Sequence, residues 1–379
     1  MFENKLNLDK LYKLPWTKNN NPNGWIEPTT HCQLACPGCY RGLAFPNPPR
    51  IHQDLNKLKK EIDTLIKIRR IKILSIAGGE PLLYPKLDEL VTYAKSKSLQ
   101  SRLVTNGAAL TQKRLAELKK LGVSEVSIHI AAYQNRTNFK DERQINCLRQ
   151  RFCEIFRKVK GVELNFIITV SKDNFLSLPY LIEFYQNNSD VINRILFTLY
   201  RDALFEINTK EDTSKYLPLE ELISLISTSY RTKPCAYLPK TLDPKTPSWL
   251  FFVPILLKNK VLAYADAKTA QKINQSAKTN QWESFPAQTS LLQLVKSLPK
   301  ISLATYGRII AGYLKTVITS PQNLLAIPKT QIIILINTPR LTEYGWDLCD
   351  GCPDAILYQN KLVPSCLLER IKWGENISL

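Results

Sequence analysis

No uncharged apolar run as long as about 18 residues occurs in this chain of 379, so no transmembrane helix is expected. The N-terminal stretch MFENKLNLDKLYKLPW is basic and amphipathic, with neither an apolar core nor a small-residue cleavage site, and no signal peptide is expected. There is no repeat at a solenoid period, no long basic block, and no basic patch interleaved with aromatics of the kind that tracks nucleic acid. Acid is the scarce charge: 33 Asp and Glu stand against 52 Lys and Arg, a formal net charge of +19. That excess admits a nucleic acid, an anionic membrane surface or an acidic substrate as partner. Much of it is lysine scattered along helical stretches such as DLNKLKKEID and KRLAELKK, and a lysine-rich solvated surface accounts for it more simply. The expected location is the cytoplasm, with peripheral membrane contact as the one addition.

Enough apolar material is present for a large core, with 44% hydrophobic and 22% charged residues. Between residues 24 and 205, short β-like runs (GWIEPT, IKILSIA, SRLVT, EVSIHI, VELNFIITV, RILFTLY) alternate with amphipathic stretches. One helix after Asp54 carries Leu55, Leu58, Ile62, Leu65 and Ile66 on one face. A second carries Leu115, Leu118 and Leu121, with Gly122 as its C-cap, and a third Ile145, Leu148, Phe152, Ile155 and Phe156. The fold class expected is α/β, six parallel strands with crossover helices in an open sheet or partial barrel, and chemistry at the carboxyl ends of the strands.

Four segments are expected: a basic N-terminal piece at 1–21, the α/β core at 22–215, an irregular or helical linker at 216–329, and a cysteine-rich extension at 330–379. Within the linker, LPKTLDPKTPSWLFFVPILLKNK reads as irregular. Residues 302–318 read as a buried helix with Ile309, Ile310, Tyr313, Leu314 and Val317 on one side; an interfacial helix turning Arg308 and Lys315 to lipid headgroups is the alternative.

Nine cysteines in a reducing compartment are not a disulfide framework. Three sit at Cys32, Cys36 and Cys39, in HCQLACPGCY, directly after the first expected strand, and three at Cys349, Cys352 and Cys366. Closed metal sites use four ligands, so the first group either takes His31 into a zinc site or leaves one position open. His31 and Cys32 are neighbours in an extended segment and point apart, which disfavours zinc. In the second group the spacer reads as a hairpin, AILY-QN-KLVPS, which would return Cys366 to the CxxC knuckle. Cys235 is the candidate fourth ligand there, while Cys147 and Cys153 read as buried small hydrophobes.

Downstream, AGGEP closes the second strand, LVTNG the third and SEVSIHI the fourth, placing Gly78, Gly79, Glu80, Thr105, Asn106, Ser127 and His129 at successive strand ends. With CxxxCxxC before them, residues 22 to 205 resemble the radical S-adenosylmethionine (radical SAM) superfamily. The resemblance implies a partial (β/α)6 barrel in which Cys32, Cys36 and Cys39 hold a [4Fe–4S] cluster. The iron left open would chelate the amino and carboxylate groups of S-adenosylmethionine. Reductive cleavage would then give a 5′-deoxyadenosyl radical that abstracts hydrogen from a substrate. By the same resemblance Gly78, Gly79 and Glu80 hold the methionyl amine, Thr105 and Ser127 lie near the carboxylate or ribose, Asn165 is a polar fifth-strand position, and Arg194 pairs with the carboxylate. No catalytic side chain is assigned. The chain departs from the family in carrying Gly38 where an aromatic is common, which makes Tyr40 the expected adenine contact. It departs again in His129, which stands where relatives carry Asp and either touches ligand or is a hydrogen-bonded core histidine.

The second cysteine group resembles the shortened SPASM/twitch-like auxiliary-cluster tails of radical SAM enzymes, implying a second [4Fe–4S] cluster, with zinc as the competing metal. A flavodoxin or ferredoxin is the implied electron donor, and a peptide, protein or lipid the favoured substrate, with nucleic acid less favoured. No Asp-x-His-x-x-Gly cobalamin pattern is present, which disfavours cobalamin-dependent methylation. The competing functional class is a zinc-stabilised basic protein that binds nucleic acid or membrane without catalysis.

Overall fold

The computed structural model describes residues 6–44, 48, 50–134, 136, 139–202, 204, 213–276, 298–324 and 326–379. The start of the expected N-terminal segment and 277–297 of the expected linker lie outside the described residues. A short strand, β1 (Tyr12–Lys13), precedes β2 (Asn23–Thr29). Strand and helix then alternate: α1 (Leu55–Arg69), β3 (Ile73–Gly78), α2 (Leu87–Ser96), β4 (Gln100–Thr105), α3 (Gln112–Leu121) and β5 (Val123–His129). There follow α4 (Asn146–Lys158), β6 (Glu163–Val170), α5 (Lys172–Phe175), α6 (Leu178–Asn187) and β7 (Ile192–Leu199). The helices start and stop where local chemistry dictates. Asp54 caps α1 by accepting from the Lys57 amide at 2.9 Å, and Arg70 ends it in the left-handed region. Leu55, Leu58, Ile62 and Leu65 are buried on its inner face.

Strands β2 to β7 pair in parallel, each with its sequence neighbour, as the alternation requires. The sheet then continues beyond what the sequence suggests. After α7 (Leu219–Ser229) come β8 (Pro234–Pro239), β9 (Pro247–Phe252), β10 (Pro254–Leu257), β11 (Lys260–Tyr264) and α8 (Ala267–Ser276). Next are α9 (Leu303–Thr319), β12 (Lys329–Thr330) and β13 (Ile332–Ile336). Strand β13 adds in parallel to β7, β9 pairs antiparallel with β13, and β8 and β1 complete ten strands in the order β1-β8-β9-β13-β7-β6-β5-β4-β3-β2. The stretch read as irregular is therefore strand-rich. Three of its prolines, Pro239, Pro247 and Pro254, sit at strand termini, where a missing N–H costs no ladder bond. The expected boundaries at 215 and 330 are crossed by this sheet, since β8, β9 and β13 belong to it. A smaller sheet, β11-β10-β12, carries α9.

The chain ends in two hairpins, β14 (Arg340–Thr342) with β15 (Gly345–Asp347), and β16 (Ala355–Tyr358) with β17 (Lys361–Pro364), before a final helix, α10 (Leu368–Lys372). The second hairpin turns at Gln359 and Asn360, as the sequence indicates, both at positive φ (49° and 63°). The knuckle between the hairpins reaches both margins of the large sheet. On the β8 side, the Asp350 amide donates to Pro239 O and the Thr241 amide to Leu348 O. On the β2 side, Asn21 donates to Gly351 O at 2.8 Å and Asn23 to Pro353 O at 2.9 Å.

Candidate active site

The strand β2 delivers the chain to the cysteine loop, where the Cys39 amide turns back on Cys36 O at 3.2 Å. All three thiols line one cavity of about 460 Å³. Burial pushes the Cys36 thiol up to about 12, with Cys39 and Cys32 adding to the shift and Arg136 opposing it. Cys32 and Cys39 are raised as well, chiefly by burial. Thiols that raise one another's pKa in this way form a donor set that a cation relieves. Donors already face the first of them: Leu34 N stands 3.4 Å and Asn106 Nδ2 3.6 Å from Cys32 Sγ. Among the described residues, no three His, Cys, Asp or Glu side chains converge closely enough to hold a single metal ion.

The loop after β3 runs beside this segment, with the Gly79 amide on Thr29 O (2.8 Å) and the Glu80 amide on His31 O (2.6 Å). A Cβ at Gly79 would stand 2.4 Å from His31 O, so only glycine permits the approach. Gly78 and Gly79 face the cavity, as do Thr105, Asn106, Ser127 and His129 from the ends of the next two strands. His129 Nε2 lies 3.4 Å from Tyr133 Oη and 3.3 Å from Thr169 Oγ1. Burial, then Arg136 and Arg149, pulls its pKa down to about 4, so the imidazole is neutral near pH 7.

Against known proteins, residues 26–180 match the model of the radical SAM superfamily. Residues 26–180 form a radical SAM domain. An AdoMet-dependent heme synthase of Oleidesulfovibrio alaskensis is 30% identical over 155 residues, 41% of this chain and 39% of that protein. A PqqA peptide cyclase of Xanthomonas campestris is 31% identical over 134 residues, 30% of this chain and 33% of that protein. The chain thus spans less than half the length of either relative. Among solved structures, Streptococcus suis SuiB bound to precursor peptide SuiA aligns with a TM-score of 0.42 at 18% identity, covering 56% of this chain and 47% of that one.

Within the radical SAM domain, several expected contacts are arranged differently. Glu80 is fully buried rather than aimed into the cavity, and its carboxylate accepts from Thr105 Oγ1 (2.6 Å), Asn106 N (2.7 Å) and Leu82 N (3.0 Å). It braces the ends of β3 and β4, and the main chain of Gly78 and Gly79 is what the cavity meets. Arg194 lines the cavity and pairs with Glu125, whose Oε2 lies 2.8 Å from Arg194 and 2.7 Å from Arg102 Nε. Asn165 donates to Ser127 Oγ at 3.3 Å and to Glu125 at 3.4 Å. Burial alone would raise the Glu125 carboxyl, but the two guanidiniums hold it down to about 2. Tyr40 lines the cavity with its hydroxyl on Glu27 (3.1 Å), the carboxylate that also accepts from Trp25 (3.0 Å). Tyr200 packs its ring against Gly38, where a Cβ would stand only 2.5 Å away. An aromatic from the end of β7 thus fills the space beside the position where the family pattern has its own.

At the other end of β2, roughly 20 Å along a seven-residue strand, lies the second cysteine group. Cys349, Cys352 and Cys366 line the same cavity. Burial raises all three thiols, Cys349 to about 11, and Cys349 raises the other two further. Cys235 is not brought to them: its thiol donates to Phe251 O at 3.4 Å, and the acid that raises its pKa after burial is Asp266. Asp354 is the acid that reaches all three tail thiols, and burial pushes its own carboxyl up to about 6. Sequence reasoning missed Asp354, Glu125, Arg102 and Arg136. Arg136 reaches Asn106 O (2.6 Å) and His129 O (3.1 Å) and stands beside Cys36 and Cys32, while Arg41 stands beside Cys39. Only Glu125 lies in a quoted motif, SEVSIHI, and there as a strand residue; cross-strand register and loop geometry bring the four in.

Proposed function

We propose that the chain is a radical SAM enzyme, acting in a reducing, cytoplasmic compartment on a peptide, protein or lipid substrate. The observation that carries this reading is that three loop thiols and four successive strand ends open onto one cavity. Cys32, Cys36 and Cys39 would hold a [4Fe–4S] cluster, and the exposed main chain of Gly78 and Gly79, with Thr105 and Ser127, would hold S-adenosylmethionine. Those groups would supply one-electron cleavage of the sulfonium and hydrogen abstraction from the substrate. The protein orients: Glu80 fixes the glycine turn, Arg136 favours the thiolate forms, and neutral His129 offers a hydrogen bond without a charge. Trp249, Phe251 and Ile334 make much of the wall apolar, which suits a hydrophobic substrate portion and excludes water. A flavodoxin or ferredoxin is the proposed electron donor, the chain's net charge of +19 suiting an acidic carrier. The test is anaerobic incubation of reconstituted protein with S-adenosylmethionine and dithionite. Formation of 5′-deoxyadenosine and methionine is expected, and neither product from iron-loaded protein would overturn the reading.

Glu80→Ala should weaken S-adenosylmethionine binding about ten- to a hundredfold with bound iron unchanged, because three buried donors lose their acceptor and the glycine turn loosens. Since the carboxylate does not face the cavity, the thermal midpoint must fall with the affinity. Weak binding at an unchanged midpoint would instead mean direct contact with the ligand.

We also propose that Cys349, Cys352 and Cys366 hold a second metal centre, with [4Fe–4S] ahead of zinc and Asp354 beside it as a candidate further ligand. Wild type should then carry about eight irons and a Cys32/Cys36/Cys39→Ala variant about four. Stoichiometric zinc with little iron in that variant would make the tail a structural site.

A further inference from the structure

Helix α9 turns much of its apolar surface outward. Its buried residues are Thr305 and Thr316, Ile309 and Tyr313 pack beside them, and a Cβ on Gly312 would lie 2.2 Å from Leu262 O. That face is pinned. Ser302 caps the helix by accepting from Thr305 N (3.1 Å) and donates to Asp266 (2.6 Å), Thr269 donates to Thr305 (3.0 Å), and Arg308 holds Asp266 at 3.1 Å. The helix cannot roll without breaking these bonds. Outward, at spacings of three and four, stand Leu303 (90% exposed), Tyr306 (42%), Ile310 (43%), Leu314 (56%) and Ile318 (79%), with Leu324 (59%) just beyond the end. The sequence expectation of a buried helix is thus reversed for Ile310 and Leu314, while Ile309 and Tyr313 pack inward.

Along the flanking sequence, charge has one sign. From Ser284 to Thr342 there is no Asp or Glu, against six Lys or Arg. Lys315 lies at the margin of the stripe and Lys300 just ahead of the helix. A protein partner is usually met by an apolar centre within a rim of both signs. An apolar face on a helix about 25 Å long, with Lys315 at its margin and no acid in the flanking sequence, is what an anionic bilayer surface accepts. Among the described residues, no helix is long and apolar enough to cross a membrane, so the geometry is one of lying in the interface.

We propose that the outward face of α9 docks the protein on an anionic lipid surface. Leu303, Tyr306, Ile310, Leu314 and Ile318 enter the headgroup boundary, and the exposed Lys315 pairs with lipid phosphates. The proposal goes beyond the radical SAM reading and does not depend on it. The test is co-sedimentation of the full chain with vesicles of phosphatidylcholine alone, or mixed with phosphatidylglycerol. Binding to the mixed vesicles only, weakened by salt, is expected. The Ile310→Glu/Leu314→Glu variant should lose about tenfold or more of that binding, and Lys315→Gln should weaken the preference for phosphatidylglycerol. Both variants should keep the wild-type thermal midpoint and rate of S-adenosylmethionine cleavage, because the altered side chains face outward. Equal binding by the Glu variant would assign binding to overall charge and overturn the proposal. So would absence of vesicle binding by wild type, whether the face then proves to join two copies by light scattering, or the Glu variant unfolds early because another segment of the chain covers it.

Discussion

Replacing Cys32, Cys36 and Cys39 together by Ala should abolish 5′-deoxyadenosine formation while leaving the fold intact. The three side chains sit on a loop that follows β2, outside the main core cluster. That core is built from strand and helix residues such as Ile26, Leu58, Ile76, Val126 and Phe166. Losing three small, partly buried thiols on a loop removes little core apolar area, so the far-UV spectrum and unfolding midpoint should stay near wild type. Iron at the loop should vanish with activity. Full product formation by this variant would end the radical SAM reading, and loss of folding would show that the loop is structural instead.

Glu125→Gln should cost on the order of 3–5 kcal/mol of stability, since it strands two guanidiniums around one buried position. The wild-type carboxylate sits 2.7 Å from Arg102 and 2.8 Å from Arg194. Its native pKa is depressed to about 2, below the ordinary value of 4.5. The stabilisation is therefore complete above the ordinary value and is lost as pH falls through about 2. Denaturation curves for wild type and variant should differ most at neutral pH and converge in acid. A constant offset at every pH would show that shape, rather than charge, is what Glu125 contributes.

Much of the core was legible because two periodicities separate cleanly. Leu55, Leu58, Ile62 and Leu65 repeat as a helix, and VELNFIITV reads as a strand that the structure places at Glu163–Val170. The tail hairpin was legible through Gln359-Asn360, whose asparagine tolerates positive φ. Three things were hidden. Prolines at strand ends masked β8 to β10, because a Pro reads as a breaker unless the strand's terminus is known. The Arg102–Glu125–Arg194 cluster depends on pairing register, and no linear spacing encodes it. The facing of α9 was hidden because an amphipathic pattern shows that two faces differ without saying which one the protein keeps. Gly312 against Leu262 O decides it.

The bonds from Asn21 and Asn23 to the knuckle of Gly351 and Pro353 each join residues 330 apart in the chain. Synthesis runs from the N-terminus, so the barrel's first strand leaves the ribosome long before its fastening exists. Until the last hairpin emerges, β2 is a terminal strand with an uncovered margin, the kind of edge on which nascent chains pair wrongly. The fastening of β2 therefore waits on a knuckle made 330 residues later, and that knuckle carries Cys349 and Cys352.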